Sequence, residues 1–362
     1  MKWRSRLAEG FSKGYTLFLG TNFGILDWGT TTLVSFVGPT SLIDEKVVKD
    51  KPSSMETEVM HPGRLVWTAL QDKYFLAALI PQGVPGTMVA RKWTDQEVTV
   101  GIRQTPDPAP PRKTHFYRLY AGPKEYDRLR AYRLHLEETI DFGWFIYGSW
   151  ALVRMVAQPL FAVLRFFHDL THNYGISIIL LTAAIKLLFV PLTHKSYVAM
   201  RAMQELQPKV AALQKKYKDD RQKLQQELME LYKKHKVNPL GGCLPMVLQI
   251  PVFIALFNIL YTTIELRHAP FMLWIKDLSD KDPYYVLPII MGISMVVQQK
   301  LQPTTLDPTQ AKLMLFLPVL FTYFFLWFPS GLVLYWLVNN ILSILQMYIT
   351  TKYLTPAKQP VK

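Results

Sequence analysis

The sequence predicts a mainly α-helical, polytopic membrane protein whose helical core is preceded by a β-rich domain. Of its 362 residues, 50% are hydrophobic, and these are concentrated in long apolar runs. Each run approaches the ~17–25 residues that a membrane-spanning helix needs. A five-helix transmembrane core over residues 174–351 is therefore predicted. Its spans are expected at 174–193, 243–263, 285–299, 312–328 and 331–350.

Residues 1–140 contain no comparable run and are interpreted as one modest β-rich domain. Short strands are predicted throughout 30–122 because alternating or aromatic-rich patterns recur there. The clearest of these stretches are Tyr74–Ile80, Val98–Ile102 and His115–Tyr120. Lys124–Leu136 is predicted to be helical.

Residues 141–173 are predicted to hold an amphipathic helix at the membrane interface. Its polar residues are spaced 4, 7, 4 and 3 apart, which confines them to about 60° of a helix. They are Arg154, Gln158, Arg165, Asp169 and His172. A helix with one narrow, basic polar stripe favours the interface over a span. A spanning helix bent at Pro159 is the alternative.

Residues 195–236 are predicted to form an antiparallel helical hairpin, in which Asp219 caps the second helix. Apolar residues recur there at spacings of three and four. The seam comprises Met203, Leu206, Val210, Leu213 and Tyr217, followed by Leu224, Leu228 and Leu231. The outer face is solvated or docks to ribosomal RNA or anionic lipid. Candidate contact residues are Lys215, Lys216, Lys218, Arg221, Lys223 and, in the basic tail 352–362, Lys352.

The charge distribution predicts how the chain is oriented. The net charge is +14, and residues 194–240 carry eleven Lys/Arg against five Asp/Glu. Residues 264–284 carry three basic and four acidic residues. The positive-inside rule therefore places 194–240 and the tail in the cytoplasm and the N-terminal domain in the periplasm. No signal peptide or anchor is recognised near Met1, so we expect one to be missing by truncation of the gene or chain.

Lys186 is the most informative single residue, because it lies inside the first apolar run. Its axial distances are about 18 Å to Tyr174 and about 10 Å to Thr193. Pairing with a carboxylate in the membrane is excluded, since none of the five runs contains Asp or Glu. Two interpretations remain: the side chain reaches the cytoplasmic headgroups, or it faces a water-filled cavity among the helices. A cavity with a cation and no built-in anion would suit a visiting negative charge.

Polar residues in the apolar runs could line such a cavity, although each alone could be an ordinary interhelical hydrogen-bonding group. They are Thr182, Gln249, Asn258, Thr322, Tyr335, Asn339 and Asn340. The sequence has no HExxH, GxSxG or phosphate-binding loop, and its histidines lack ligand spacing. An enzyme, a metal site and a cofactor are therefore not expected. A secondary transporter or channel is the alternative, although it predicts coupling carboxylates or an inverted repeat.

Several motifs, in order, resemble the YidC/Oxa/Alb membrane protein insertases, most closely the Gram-negative bacterial YidC branch. They are Asp141–Trp144, Pro191–Thr193, Leu206–Lys209, Val237–Cys243, Glu265–Arg267, Asp282–Tyr285 and Phe325–Tyr335. The resemblance covers about 141–351 nearly without gaps. It is weaker over 64–82 and 115–140, and absent for most of 1–60.

The resemblance implies a hydrophilic groove that opens to cytoplasm and lipid and inserts nascent inner-membrane proteins. The implied partners are nascent chains, the ribosome, the Sec translocon and anionic lipids, with no small-molecule substrate. Lys186 stands where relatives usually carry arginine, so the charge is kept but the forked guanidinium is not. Trp336 stands where relatives carry a groove tyrosine. Family members also begin with an anchor and a larger periplasmic β-sandwich, of which only the last part is expected here.

Overall fold

The computed structural model describes most of the chain. The described residues are 2–6, 14–21, 36–94, 97–104, 114–140, 142, 144–145, 148–149, 151–217, 220–235, 244–301 and 308–350. The chain divides into two compact units: a β unit, Met1–Met155 with Tyr261–Glu265, and a helical unit, Val156–Leu260 with Leu266–Lys362. This division confirms a mainly helical protein with a β-rich N-terminal region.

The β unit is a sandwich of two antiparallel sheets. The strands of these two sheets are β1 Lys2–Arg6, β2 Tyr15–Phe18, β3 Gly38–Ile43, β4 Lys46–Lys49, β5 Glu58–His61, β6 Leu65–Gln71, β7 Phe75–Gln82, β8 Thr87–Thr94, β9 Glu97–Gln104 and β10 Thr114–Pro123. One sheet has the order β1-β10-β7-β6-β3-β4 and the other β2-β9-β8-β5. Leu70 and Tyr117 of the first sheet share a buried cluster with Met88 and Val100 of the second. Burial of these apolar faces against each other holds the two sheets together.

Two predictions for the β unit need correction. Strands β1 and β2 precede residue 30, where the predicted strand region began. The helix predicted over Lys124–Leu136 is only α1, Tyr126–Ala131. It cannot continue because Arg133 and His135 have φ values of 54° and 56°, in the left-handed region. A 3-10 turn at Leu136–Thr139 and a short antiparallel pair, β11 Trp144–Phe145 and β12 Gly148–Ser149, follow.

Each of the five apolar runs is mostly helical. The helices of the helical unit are α2 Ala151–Thr171, which begins in the β unit, α3 Tyr174–Lys216, α4 Arg221–Lys234, α5 Leu244–Thr262, which ends in the β unit, α6 Val286–Leu301, α7 Pro308–Phe325 and α8 Ser330–Ile349. Only residues 326–329 separate α7 from α8, as the Pro329-Ser330-Gly331 sequence predicts. Helix α8 packs against α3 and α6, and α6 packs against α7.

The segment between α5 and α6 fixes the starts of two other helices. The Asn173 side chain caps α3 by accepting hydrogen bonds from Gly175 N (2.9 Å) and Ile176 N (3.1 Å). Its amide donates to Phe271 O at 2.9 Å. Ser330 N, at the start of α8, donates to Asp280 O at 2.7 Å. Helices α3 and α8 therefore begin beside the same segment and run in the same direction.

Helix α3 continues well past the predicted end of its span at residue 193. Its 43 residues join that span to the first arm of the predicted hairpin without a break, although Pro191 and Pro208 lie inside it. The second arm, α4, packs against α3. Asp220 caps it by accepting from Lys223 N at 2.9 Å. The predicted cap, Asp219, lies outside the described residues.

By length and composition alone, three helices within the described residues could cross a membrane, over 151–171, 174–200 and 330–349. The corresponding stretches of α5, α6 and α7 are shorter, at 249–262, 286–301 and 316–325. The interfacial placement of α2 and the number of spans remain predictions. In α2, Val153, Ala157, Phe161 and Leu164 are buried, whereas Arg154 and Asp169 of the predicted polar stripe are exposed.

Candidate functional site

In the helical unit, five polar side chains, two of them buried and three half-buried, come together where α3, α5 and α8 meet. We call Lys186, Gln249, Tyr335, Asn339 and Ser343 the Lys186 cluster. On α8, positions 335, 339 and 343 recur every four residues and therefore share one face of the helix. Lys186 is 12 residues into α3 and Ser343 is 13 residues into α8. Since the two helices run together, these residues lie at similar depth, about 18–20 Å from the helix starts.

The Lys186 side chain points toward α8. Its Nζ donates to Ser343 Oγ at 2.6 Å, and that hydroxyl donates to Asn339 O at 2.6 Å. The neighbouring Leu187 and Leu188 are 72% and 74% exposed in the isolated protein. The apolar side chains of this turn thus face outward, where lipid would lie, while the ammonium group faces the helix interface. Within the described residues the ammonium has no carboxylate partner.

A second link connects α8 to α5. Gln249 Nε2 donates to Asn339 Oδ1 at 3.0 Å. Tyr335 is 3% exposed. Three helices are therefore joined by hydrogen bonds that lead from the lysine through Ser343 and Asn339 to Gln249. In a membrane such bonds are worth about 0.6–2 kcal/mol each.

The remaining predicted groove residues lie in different surroundings. Thr182 is buried, and its hydroxyl donates to Ile178 O of its own helix at 2.6 Å. Asn258 is 0% exposed, near the far end of α5 from Gln249. Thr322 donates to Pro318 O at 2.7 Å.

Trp336 packs among aromatic rings of α5 and α7. Its ring centroid lies 4.9 Å from that of Phe253, 5.0 Å from Phe325 and 5.8 Å from Phe321. These aromatic rings bury apolar surface between the helices. The structure therefore places Trp336 in an apolar packing position next to the cluster.

Sequence reasoning did not select Ser343 as a site residue. A serine in a spanning helix is common, but Ser343 follows the selected Asn339 by four residues, on the same face. That spacing was the available signal. Two further polar contacts involve α8: Gln346 Nε2 donates to Thr193 Oγ1 of α3, and Asn340 Nδ2 donates to Ser294 Oγ of α6 at 3.0 Å.

The predicted basic contact residues lie at and beyond the end of α3. Lys215, Lys216 and Lys223 are exposed. The ammonium groups of Lys216 and Lys223 lie 5.0 and 5.6 Å from the Tyr217 ring centroid. The hydrogen bond with Tyr217 raises the pKa of Lys216. Lys218, Lys352 and the Arg221 side chain lie outside what the structure describes.

The sequence matches two families in succession. Residues 21–163 match the family described as "YidC periplasmic domain", and residues 166–358 match "60Kd inner membrane protein". The first match corrects the expectation that the resemblance is absent for most of 1–60, because it begins at residue 21.

Curated relatives bear the name "Membrane protein insertase YidC". One from Geotalea daltonii is 50% identical over 322 residues, which are 88% of this chain and 59% of the relative. One from Geobacter metallireducens is 48% identical and covers 89% of this chain and 59% of the relative. The chain thus spans about three-fifths of the length of these relatives.

A solved structure described as "Active YidC insertase crystal structure with the first transmembrane domain resolved" also aligns. The alignment has 20% identity and a TM-score of 0.46. It covers 95% of this chain and 83% of the other.

Proposed function

Because the chain belongs to the YidC family of inner membrane proteins, we propose that it is a membrane protein insertase and chaperone. It inserts and folds nascent inner-membrane proteins through a hydrophilic groove that carries a positive charge. The observation on which this proposal rests is the Lys186 ammonium, turned into the helical unit and hydrogen-bonded only to a neutral hydroxyl among the described residues.

The neutral partner matters because it leaves the charge of the lysine uncompensated. A charged group inside a membrane protein usually pairs with an opposite charge or lines a water-filled pathway. Here Ser343 satisfies one of the three N–H donors of the ammonium group without cancelling its charge. A carboxylate on a passing substrate would supply the missing negative charge.

Insertion by this route needs no covalent chemistry. A short hydrophilic segment of the substrate enters the groove and is held near Lys186, so its polar groups cross less hydrocarbon. The apolar segment that follows then moves sideways into lipid, where transfer of its surface from water is favourable. The groove lowers the barrier, and hydrophobic transfer supplies the driving force.

The orientation follows from the distribution of charge. Residues 194–240, with their excess of Lys/Arg, face the cytoplasm together with the C-terminal tail, and the β unit lies in the periplasm. The match of residues 21–163 to a periplasmic domain supports this direction. In this orientation the segment between α5 and α6 closes the periplasmic end of α3 and α8. Helix α2 lies in the periplasmic interface of the membrane.

The cytoplasmic surface provides the proposed partner contacts. Exposed Lys215, Lys216 and Lys223 at the α3–α4 turn suit the phosphates of ribosomal RNA or anionic lipid. A ribosome held there would deliver its nascent chain close to the groove. The same groove can serve substrates alone or beside the Sec translocon.

The test is insertion of a single-span substrate with an acidic N-terminal tail into liposomes that contain the purified protein. Lys186→Arg is expected to keep insertion within about threefold of the native rate, and Lys186→Ala to lower it at least tenfold. Lys195→Ala is the matched control, since it removes an exposed lysine from the same helix. Native insertion by Lys186→Ala would refute a charged groove.

A secondary transporter or channel is the second candidate, favoured only by the buried lysine itself. The same liposomes distinguish the two functions. A channel or transporter would dissipate an ion or solute gradient without any substrate protein, whereas an insertase would leave the gradient intact.

A further inference from the structure

We propose that Ser343 is a positioning residue that holds the Lys186 ammonium inside the helical unit, ready for the carboxylates of acidic substrate segments. This inference rests on the proposed insertase function and identifies what keeps its charge in place. Ser343 itself does not need to touch the substrate.

The geometry of the hydroxyl supports this role. Ser343 is 4% exposed, so water does not easily displace its contact with the lysine. Its proton is engaged by Asn339 O at 2.6 Å, which turns the oxygen lone pairs toward Lys186 Nζ, also at 2.6 Å. The hydroxyl therefore acts as an acceptor for the ammonium group in a fixed direction. Hydrogen bonds that involve a charged group are roughly twice as strong as neutral ones.

Without that acceptor the lysine has an alternative position. Thr193 lies only about 10 Å further along α3, and a lysine side chain can extend toward headgroups to keep its charge in water. Lysine is long and flexible, so one directional bond decides which way it points. Loss of the hydroxyl should therefore move the charge out of the groove while the helices remain folded.

The same helix pair contains a matched control. Gln346 donates to Thr193 and so also joins α8 to α3, less than one turn beyond Ser343 along α8. Thr193→Val removes this link with little change of shape and leaves the contact between Lys186 and Ser343 intact. If Ser343 served only to hold α3 against α8, both substitutions would have similar effects.

The experiment compares two substrates that differ only in the N-terminal tail, one acidic and one with Asn and Gln in place of Asp and Glu. Insertion rates into liposomes are measured for native protein, Ser343→Ala, Ser343→Thr, Thr193→Val, Lys186→Ala and the double variant Lys186→Ala/Ser343→Ala. Thermal unfolding of each variant confirms that it is folded.

Ser343→Ala is expected to slow the acidic substrate about tenfold and the neutral one less than twofold. Ser343→Thr should restore the preference for the acidic tail because it keeps the hydroxyl. Thr193→Val should leave the preference unchanged. In the Lys186→Ala background, Ser343→Ala should have no further effect, since a residue that acts through the lysine has nothing left to position.

Three results would overturn the inference: an unchanged acidic preference in Ser343→Ala, an equal loss in Thr193→Val, or additive effects in the double variant. Each of these can occur while Lys186→Ala abolishes insertion, and then only the positioning role fails. If Lys186→Ala inserts both substrates at the native rate, the charged groove itself fails.

Discussion

Asp282 is expected to be a major source of stability for the segment between α5 and α6. Its carboxylate is 0% exposed and accepts three hydrogen bonds. Oδ1 accepts from the Trp274 indole and from Tyr284 N, both at 3.0 Å, and Oδ2 accepts from Leu287 N at 2.7 Å. Leu287 is the second residue of α6, so the carboxylate also provides a negative charge at a helix N-terminus.

Asp282→Ala would leave an indole N–H and two backbone N–H groups without their acceptor. A buried donor that loses its partner costs about 1–3 kcal/mol, so the free energy of unfolding should fall by about 4 kcal/mol. Asp282→Asn keeps one carbonyl oxygen but places an NH₂ group where Leu287 N needs an acceptor. That variant should lose about 2 kcal/mol.

The free energy of unfolding would be measured by denaturant titration of the full chain in detergent micelles, followed by tryptophan fluorescence. Asp277→Ala is the matched control from the same segment. Its carboxylate is 23% exposed, accepts from Ser279 N and Oγ in a local turn, and lies 3.0 Å from Nδ1 of the exposed His268. A loss below about 1 kcal/mol is expected for this control. If Asp282→Ala cost no more than Asp277→Ala, the reasoning from burial and hydrogen bonding would be wrong.

Two further perturbations test the packing and the electrostatics. In Gly292→Ala the added Cβ would lie 2.0 Å from Thr322 Oγ1, so the free energy of unfolding should fall by about 1–3 kcal/mol. Adding Thr322→Ala to the same chain should recover most of this loss, and an unchanged stability of Gly292→Ala alone would contradict the expectation. Hydrogen bonds from Arg91 and Arg103 hold the pKa of Glu58 below 4.5. Its contribution to the free energy of unfolding, under about 1 kcal/mol, should therefore be present at pH 7 and disappear as the pH falls below 4.5. The free energy of unfolding of native protein and Glu58→Gln is measured at pH 7 and pH 3.5. If the difference between the two proteins grew on acidification, the predicted direction of the pH dependence would be wrong.

The helices and strands were largely predictable because the apolar residues that they bury recur at regular spacings in the sequence. All five apolar runs are helical, and β7, β9 and β10 coincide with the stretches chosen for alternation or aromatic content. Helix ends were less predictable. The change from apolar to charged residues after Thr193 suggested an end of the first helix, but it reflects a change of surroundings, and α3 continues through it.

The site was only partly predictable for a related reason. Lys186 is recognisable because a charge among apolar residues is costly wherever its neighbours lie. Ser343 is not, because its importance depends on the register between α3 and α8, 157 residues apart in sequence. Trp336 shows the converse, since the resemblance placed it at a groove position while its neighbours in the structure are aromatic.

The unbroken course of α3 has a mechanical consequence. Pro191 has no N–H to donate to the carbonyl of Leu187, so one backbone hydrogen bond of the helix is missing immediately after Lys186. The helix can therefore bend at Pro191, just beyond Lys186. From Pro191 to Lys216 the arm is about 38 Å long, and a bend of about 10° would move its tip by about 7 Å. Lys186 lies before Pro191, so a bend there would move the arm that ends at Lys216 and leave the ammonium against Ser343.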